Sequence, residues 1–185
     1  MSHLNRKLAD FMKINSQSTL EDYLGIEAIN LREVTSLNDA SGLKWQAEIS
    51  VFVLNIVMDF RVYFNEDGFK GHLTELLEEP LTDMSYRNYL KEYCNRAGGT
   101  LKGCLQDALE IQYMEASLSL PHCDEIHQVP DKTNRINQVF WELTHPCGLH
   151  LICTFECDIP ESVNVAEDFE LSTEIFTKKK KVVFF

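Results

Sequence analysis

The residues best suited to chemistry in this sequence are four polar or small residues between positions 88 and 99. They are Asn88, Glu92, Asn95 and Gly99. In an α-helix, at about 100° per residue, these positions fall within roughly 60° of one another. A carboxylate and a carboxamide would then lie one turn apart on one face, with a glycine one turn beyond. A carboxamide can accept a hydrogen bond from water and donate another nearby, and a carboxylate can pair with a cation.

The apolar residues of the same segment fall on the opposite side of such a helix. They are Leu90, Cys94, Ala97, Leu101, Leu105 and Ala108. This stripe predicts an amphipathic helix with one buried face, capped by Thr82 or Asp83 and running to about Leu109. Glycine within a helix costs up to about 1 kcal/mol relative to alanine, and here Gly98 and Gly99 occur together. We therefore expect something to approach the exposed face closely.

The two ends of the chain are predicted to differ from its middle. Residues 1–42 are predicted to be a helical segment, with an apolar stripe formed by Leu4, Leu8, Phe11 and Met12. Ser18 or Thr19 is expected to cap a second short helix, which Gly25 would end. Residues 160–185 are acidic and then carry a lysine run, so they are predicted to be a loosely ordered tail or an edge strand.

The middle segment, residues 43–159, is predicted to form a sheet around the amphipathic helix. Alternation of apolar and polar residues from Trp45 to Val53 predicts a strand, and Leu54–Phe64, which is apolar on both parities, predicts a second strand whose register is left open. The expected elements are a strand pair over Leu43–Phe64, a turn at Asn65–Gly68, a short helix at Leu73–Leu77, a strand over Ile111–Leu120, a loop over His122–Arg135, and a hairpin formed by Ile136–Leu143 and Leu149–Ile159. This order indicates an α+β fold. We expect a largely antiparallel sheet packed against the long helix, plus the N-terminal helices.

Composition restricts the kind of partner. The 185 residues include 17 Lys and Arg against 29 Asp and Glu, for a net charge of −12. Such a surface repels nucleic acid and anionic lipid, so a protein partner is expected, with no nucleic acid and no membrane. The sequence lacks a signal-peptide core and an apolar run of about 18 residues. Its six cysteines lack a disulfide-framework spacing, which is typical of a reducing compartment, so a cytoplasmic protein is expected.

A cluster of soft ligands near the C-terminal hairpin raises a zinc-stabilised structural protein as one hypothesis. The cluster consists of His145, Cys147, His150, Cys153 and Cys157. On the predicted strand, Cys153 and Cys157 share a face with apolar residues, whereas His150 lies on the other face. Ligands on opposite faces of one strand cannot meet at one ion, so no metal site is predicted and the cysteines are interpreted as core residues.

The spacing Glu92-x-x-Asn95-x-x-x-Gly99 resembles the signature of the bacterial chemotaxis phosphatases of the CheC/CheX/FliY type, which dephosphorylate the response regulator CheY. The context is similar too: the helix continues through Leu101–Leu105, and a predicted strand ends in Ser117–Pro121 before the hairpin. The resemblance covers about residues 43–159. The bare Glu-x-x-Asn spacing also occurs, without the glycine, at Glu27/Asn30 and Glu161/Asn164.

The resemblance implies a fold, an activity and partners. One copy of the motif is more similar to the CheX-like members, which implies a homodimer. The implied activity is hydrolysis of the phosphoaspartate of a CheY-like receiver domain, in chemotaxis or related two-component signalling. The alternative is a non-catalytic receiver-binding module of the same fold. No cofactor is implied on this chain, because Mg²⁺ would be held by the phosphorylated receiver.

The resemblance also implies roles for individual residues. Asn95 would orient the attacking water and Glu92 would anchor the receiver, which makes both catalytic. Asn88, Glu92 and Gly99 would contact the partner, although Asn88 stands where family members often carry Asp or Ser. The basic residues that flank this face could steer an acidic receiver, but they are interpreted as simply solvated; they are Lys91, Arg96 and Lys102.

Overall fold

The structure is a computed structural model that describes residues 3–35, 42–65, 70, 73–74, 82–110, 115–126, 137–159 and 171. Its long helices are α1 (His3–Leu24) and α2 (Asp83–Ala108). Its strands are β1 (Asn30–Val34), β2 (Trp45–Val53), β3 (Ile56–Phe64), β4 (Ala116–Leu118), β5 (His122–Glu125), β6 (Gln138–His145) and β7 (Leu149–Asp158). All strand pairs are antiparallel. The predicted α+β class with an antiparallel sheet is confirmed.

The strands form one seven-stranded sheet with the order β1-β6-β7-β3-β2-β4. Strand β5 also pairs with β2, so β4 and β5 share one edge of that strand. Strand β5 covers the first half of β2, from Trp45 to Glu48, and β4 covers Val51 to Val53. The interior of the sheet is therefore made of β6, β7, β3 and β2, which include the strands whose apolar pattern was clearest.

Both helices pack on one face of this sheet. Alternate residues of β2, from Trp45 to Val53, are buried as predicted. They meet the buried stripe of α2, whose members Leu90, Cys94, Ala97 and Leu101 are fully buried. Leu8 and Met12 of α1 belong to the same hydrophobic core. The predicted stripe of α2 is confirmed except at its last member, since Ala108 in the final turn is exposed.

The opposite face of the sheet carries charged side chains. On β3, Arg61 alternates with the buried Phe60 and Val62, so it points away from the helices. Its guanidinium pairs with Glu48 at 2.7 Å, with Asp59 at 3.0 Å and with Glu156 at 3.3 Å. The two faces of the sheet thus differ in chemistry around Arg61, which explains the alternation along β2. The alternation is interrupted on β3 and β7, where Tyr63 and Ile152 are also buried, in a small cluster of their own.

Helix α2 begins and ends where the sequence predicts. Thr82 is the N-cap, and its hydroxyl oxygen accepts a hydrogen bond from the Ser85 backbone N–H at 3.1 Å. Leu109 is the C-cap, and its backbone N–H donates to the Leu105 carbonyl at 3.0 Å. The helix that carries the motif is therefore regular over its whole length.

Helix α1 differs from the prediction because it is one continuous helix rather than two. Neither Ser18 nor Thr19 starts a new helix; the Thr19 hydroxyl instead donates to Asn15 Oδ1 at 3.1 Å within α1. Because the Thr19 hydroxyl already makes a hydrogen bond within α1, it does not cap a second helix. Gly25 ends the helix as predicted, with a φ of 63°.

Two edge strands were missed by the sequence prediction. Strand β1 lies in the segment predicted to be helical and pairs with β6. Strand β5 occupies His122–Glu125, at the start of the predicted loop, and pairs with β2. Both strands are mostly exposed and polar, so they carry no alternating apolar pattern. Main-chain pairing with a neighbouring strand places them in the sheet, together with the partly buried Leu31 and Cys123, which pack against the core.

The predicted C-terminal hairpin is confirmed as β6 and β7, with the Gly148 N–H donating to the His145 carbonyl at 3.1 Å. The predicted turn at Asn65–Gly68, the short helix at Leu73–Leu77 and the start of the strand at Ile111 lie largely outside the described residues, as does the tail. The division at residues 42 and 159 stays a prediction. Among the described helices, none is long and apolar enough to cross a bilayer.

Candidate functional site

The four predicted site residues lie along one exposed side of α2, which we call the ridge: Asn88, Glu92, Asn95 and Gly99. Asn88 is exposed, whereas Asn95 and Gly99 are partly exposed. The Glu92 side chain is 44% exposed. The neighbouring Tyr93 and Cys94 are fully buried, which fixes the rotation of the helix about its axis. The structure therefore brings the predicted residues together on a surface that another protein can reach.

The Glu92 carboxylate is the centre of a compact polar cluster. Asn95 Nδ2 donates to Glu92 Oε2 at 3.2 Å, and Arg96 Nε donates to Glu92 Oε1 at 3.0 Å. With its nitrogen turned towards Glu92, Asn95 presents an Oδ1 that accepts no hydrogen bond from the described residues. An amide in this orientation can accept a hydrogen bond from a water molecule next to the carboxylate.

Arg96 is solvent-exposed on the flank of the ridge, as predicted, and it also makes two contacts that were not predicted. It pairs with Glu92 and lies over the ring of Tyr23, with Cζ 4.4 Å from the ring centroid. The Glu-to-Arg spacing of four residues was the available signal for the ion pair. No local signal pointed to Tyr23, because it belongs to α1 and meets Arg96 only in the folded chain.

Tyr23 is itself held in place by α2. Its ring stacks on Tyr89 with centroids 4.1 Å apart, and the Tyr89 hydroxyl donates to the Tyr23 carbonyl at 2.7 Å. Burial raises the pKa of both phenols above the usual value, so both are neutral at physiological pH. The last turn of α1 therefore packs along one side of the ridge.

Buried hydrogen bonds also connect α1 to α2 behind the ridge. Asn15, which is fully buried, donates from Nδ2 to the Ala97 carbonyl at 2.8 Å. The Tyr93 hydroxyl donates to the Ser16 carbonyl at 3.0 Å. Breaking such bonds leaves buried polar groups unpaired, which costs about 1–3 kcal/mol each. These contacts hold α2 in position within two residues of Asn95.

The two glycines of α2 have different surroundings. A Cβ added at Gly98 would lie 3.1 Å from Ile49 Cγ2 of β2, so this glycine permits close packing of helix and sheet. A Cβ added at Gly99 would meet nothing within 4 Å. Packing inside the chain therefore explains Gly98 and leaves Gly99 without a structural reason among the described residues.

The soft-ligand residues of the hairpin lie on both faces of β7, as the strand pattern predicts. Cys153 and Cys157 are buried in the core on the helix side. The His150 side chain is 42% exposed, and its Nε2 lies 2.9 Å from Glu142 Oε1. Among the described residues, no three His, Cys, Asp or Glu side chains are grouped to hold a metal ion. The interpretation of these cysteines as core residues is confirmed.

No protein family model and no curated protein matches this chain by sequence. Solved structures do match it by fold. A CheC-like superfamily protein from Shewanella sp. PV-4 has a TM-score of 0.62 at 12% identity, covering 86% of this chain and 100% of that one. The chemotaxis protein CheX from Vibrio vulnificus has a TM-score of 0.60 at 10% identity, covering 82% and 99%.

A third similar structure is a complex. It is the CheX–CheY–BeF3–Mg²⁺ complex from Borrelia burgdorferi, with a TM-score of 0.63 at 12% identity, covering 82% of this chain and 97% of the matched one. Each structure matches more of this chain than residues 43–159, so the structural similarity extends beyond the segment that the motif resemblance covers. The chain therefore has the fold of the CheC-like and CheX chemotaxis proteins.

Proposed function

We propose that this chain is a phosphatase that hydrolyses the phosphoaspartate of a CheY-like receiver domain in chemotaxis or related two-component signalling. One observation carries the proposal. On a fold shared with CheX proteins, one of which is in complex with CheY, the Glu92 carboxylate and the Asn95 amide meet on the exposed ridge at 3.2 Å. The fold supports a CheY-like partner, and the ridge carries the groups for the chemistry.

The proposed reaction needs little from this chain, because a phosphoaspartyl group is an acyl phosphate that is already activated towards water. Asn95 accepts a hydrogen bond from the attacking water at Oδ1 and holds that water in line with the phosphorus. The water oxygen forms the new bond to phosphorus as the bond from phosphorus to the aspartyl oxygen breaks. The receiver carboxylate leaves, and the proton of the water passes to the phosphate. No covalent intermediate forms on this chain.

Glu92 has the anchoring role in this proposal. A carboxylate has lone pairs for about four hydrogen bonds, and two are used by Asn95 and Arg96. Glu92 can therefore accept a further bond from a receiver lysine, which fixes the docked geometry. Asn88 contacts the receiver beside it. Gly99 lets the receiver backbone approach, since no atom of the described residues lies within 4 Å of the place a side chain would take.

Two further parts of the proposal concern the assembly. Mg²⁺ is bound by the phosphorylated receiver, and this chain contributes no ligand to it. The chain itself forms a homodimer through a sheet edge, as the resemblance to CheX-like members implies. Light scattering of the purified chain measures this directly: twice the mass of one chain supports the dimer, and the mass of one chain contradicts it.

The decisive experiment follows phosphate loss from a phosphorylated CheY-type receiver in the presence of Mg²⁺. The wild-type chain should accelerate that loss. Asn95→Ala should lower kcat by about a hundredfold, since the water loses its positioning group, while receiver binding largely persists. Glu92→Ala should instead raise KM by about tenfold, because it removes an ion pair across the interface.

Asn30→Ala is a matched control, because Asn30 belongs to another Glu-x-x-Asn copy but lies on strand β1. Its activity should equal that of the wild type. Equal rates for the wild type and Asn95→Ala would exclude the phosphatase mechanism. Receiver binding without any acceleration would favour the alternative, a non-catalytic receiver-binding module of the same fold.

A further inference from the structure

The Arg96 guanidinium lies beside Glu92 and Asn95 on the ridge. Its Nε donates to Glu92, and its guanidinium lies 4.4 Å over the Tyr23 ring. The terminal nitrogens, Nη1 and Nη2, donate to no group in the part of the chain that the structure describes. Four N–H donors are thus held in one plane without an acceptor among the described residues.

The position of this guanidinium restricts what it can meet. Asn95 and Arg96 contact the two oxygens of the same carboxylate, so the amide and the guanidinium flank it on either side. A partner that reaches Glu92 and Asn95 also reaches Arg96. The cluster therefore presents a carboxylate and a cationic fork side by side, which is complementary to a partner carrying a cation next to an anion.

We infer that Arg96 donates its terminal N–H groups to the phosphoryl oxygens of the partner's phosphoaspartate while Glu92 takes the partner's ammonium. This inference rests on the proposed function and extends it, because it assigns this chain a positive charge of its own in the reaction. Arg96 stabilises negative charge on the phosphoryl oxygens as the bond from phosphorus to the aspartyl oxygen breaks, as an arginine does in some phosphoryl-transfer enzymes. Arg96 is then a catalytic residue.

Tyr23 is a positioning residue in this arrangement. It contacts Arg96 through its ring face, and Tyr89 stacks on its ring at 4.1 Å. A guanidinium that is already oriented loses less conformational entropy when it binds an anion. The last turn of α1 therefore supports the reaction without touching the partner's phosphoryl group.

The test measures kcat and KM for phosphate loss from a phosphorylated CheY-type receiver, together with binding of the unphosphorylated receiver. Arg96→Gln should lower kcat at least about tenfold, and Arg96→Lys should lower it less, because lysine keeps the charge and loses the fork. Binding of the unphosphorylated receiver should change less than about twofold for both variants, since that receiver carries no phosphoryl group.

Lys91→Gln is the matched control. Lys91 lies on α2 on the other flank of the ridge from Arg96, at about 100° per residue, and its loss removes the same charge. If Arg96 only steers an acidic receiver, both Gln variants will raise KM in a salt-dependent way and leave kcat unchanged. That result would overturn the inference. A higher activity of Arg96→Gln would also overturn it, because it would mean that Arg96 competes with the partner for Glu92.

The Tyr23 variants separate positioning from general stability. Tyr23→Phe keeps the ring and should keep kcat, whereas Tyr23→Leu removes the ring and should lower kcat about threefold. In the Arg96→Gln background, Tyr23→Leu should have no further effect on kcat, and an equal loss of kcat there would show that Tyr23 acts only on the fold.

Two outcomes separate the inference from the proposed function. A wild-type chain that fails to accelerate phosphate loss would overturn both together. An active wild type, with the same kcat for Arg96→Gln and Lys91→Gln, would overturn the inference alone.

Discussion

The two sides of helix α2 share one backbone, but packing inside the chain explains the residues of only one side. On the side facing the sheet, Leu101 is fully buried and Gly98 leaves 3.1 Å between an added Cβ and Ile49. On the ridge, Glu92 is 44% exposed and Gly99 has open space beside it. Packing accounts for the first side. Nothing within the described chain accounts for the second, which is why the ridge is the candidate site.

The largest expected effect tests the buried side. Leu101→Ala should lower the free energy of unfolding by about 2–5 kcal/mol, because it removes buried methyl groups and leaves a cavity. Asn95→Ala on the ridge should change it by less than about 0.5 kcal/mol. Urea denaturation of both variants measures the difference. A ridge variant as unstable as the core variant would remove the distinction between the two sides.

The next effect concerns the glycine that packs on the sheet. Gly98→Val should destabilise the fold by about 1–3 kcal/mol, because the added carbons overlap Ile49 and Val51. Pairing this change with Ile49→Ala sharpens the test, since Ile49→Ala removes the nearest obstructing atom. The double variant should be more stable than the sum of the single changes predicts. Strict additivity would mean that the helix does not press on β2 at this point.

The neighbouring glycine should respond with the opposite sign. Gly99→Ala should raise the free energy of unfolding by up to about 1 kcal/mol, because alanine favours the helix and its methyl group meets nothing. The same change should weaken binding of the CheY-type receiver if the receiver backbone approaches there. Thermal denaturation and a binding titration measure the two effects. A more stable variant with unchanged binding would remove Gly99 from the proposed docking surface.

The smallest expected effect concerns the ion pair of the ridge. Glu92→Ala should change the free energy of unfolding by no more than about 0.5 kcal/mol, because its pairing with Arg96 is exposed to solvent. The predicted tenfold rise in KM for the receiver corresponds to about 1.4 kcal/mol, which is larger than this change in the free energy of unfolding. A stability loss above 1 kcal/mol would instead assign Glu92 a structural role and weaken its proposed anchoring role.

The sheet shows the same contrast between central and outer regions. Strand β2 was predicted from alternation, since one face is buried against the helices and the other carries polar residues such as Glu48. Strand β3 was predicted from its apolar content, which falls on both faces and leaves its register open. Strands β1 and β5 were missed, because residues such as Arg32 and His122 stay exposed in them. A strand whose side chains stay mostly exposed leaves little apolar pattern in the sequence.

By itself, the sequence determined the amphipathic helix, its start at Thr82 or Asp83, and the common face of Glu92, Asn95 and Gly99, because helical geometry depends only on spacing. The tertiary structure decided which groups surround that face. Tyr23 lies far from Arg96 in the sequence, and only the packing of α1 beside α2 brings its ring to 4.4 Å from the guanidinium. Contacts between distant segments depend on how apolar faces pack, which periodicity along one segment cannot specify.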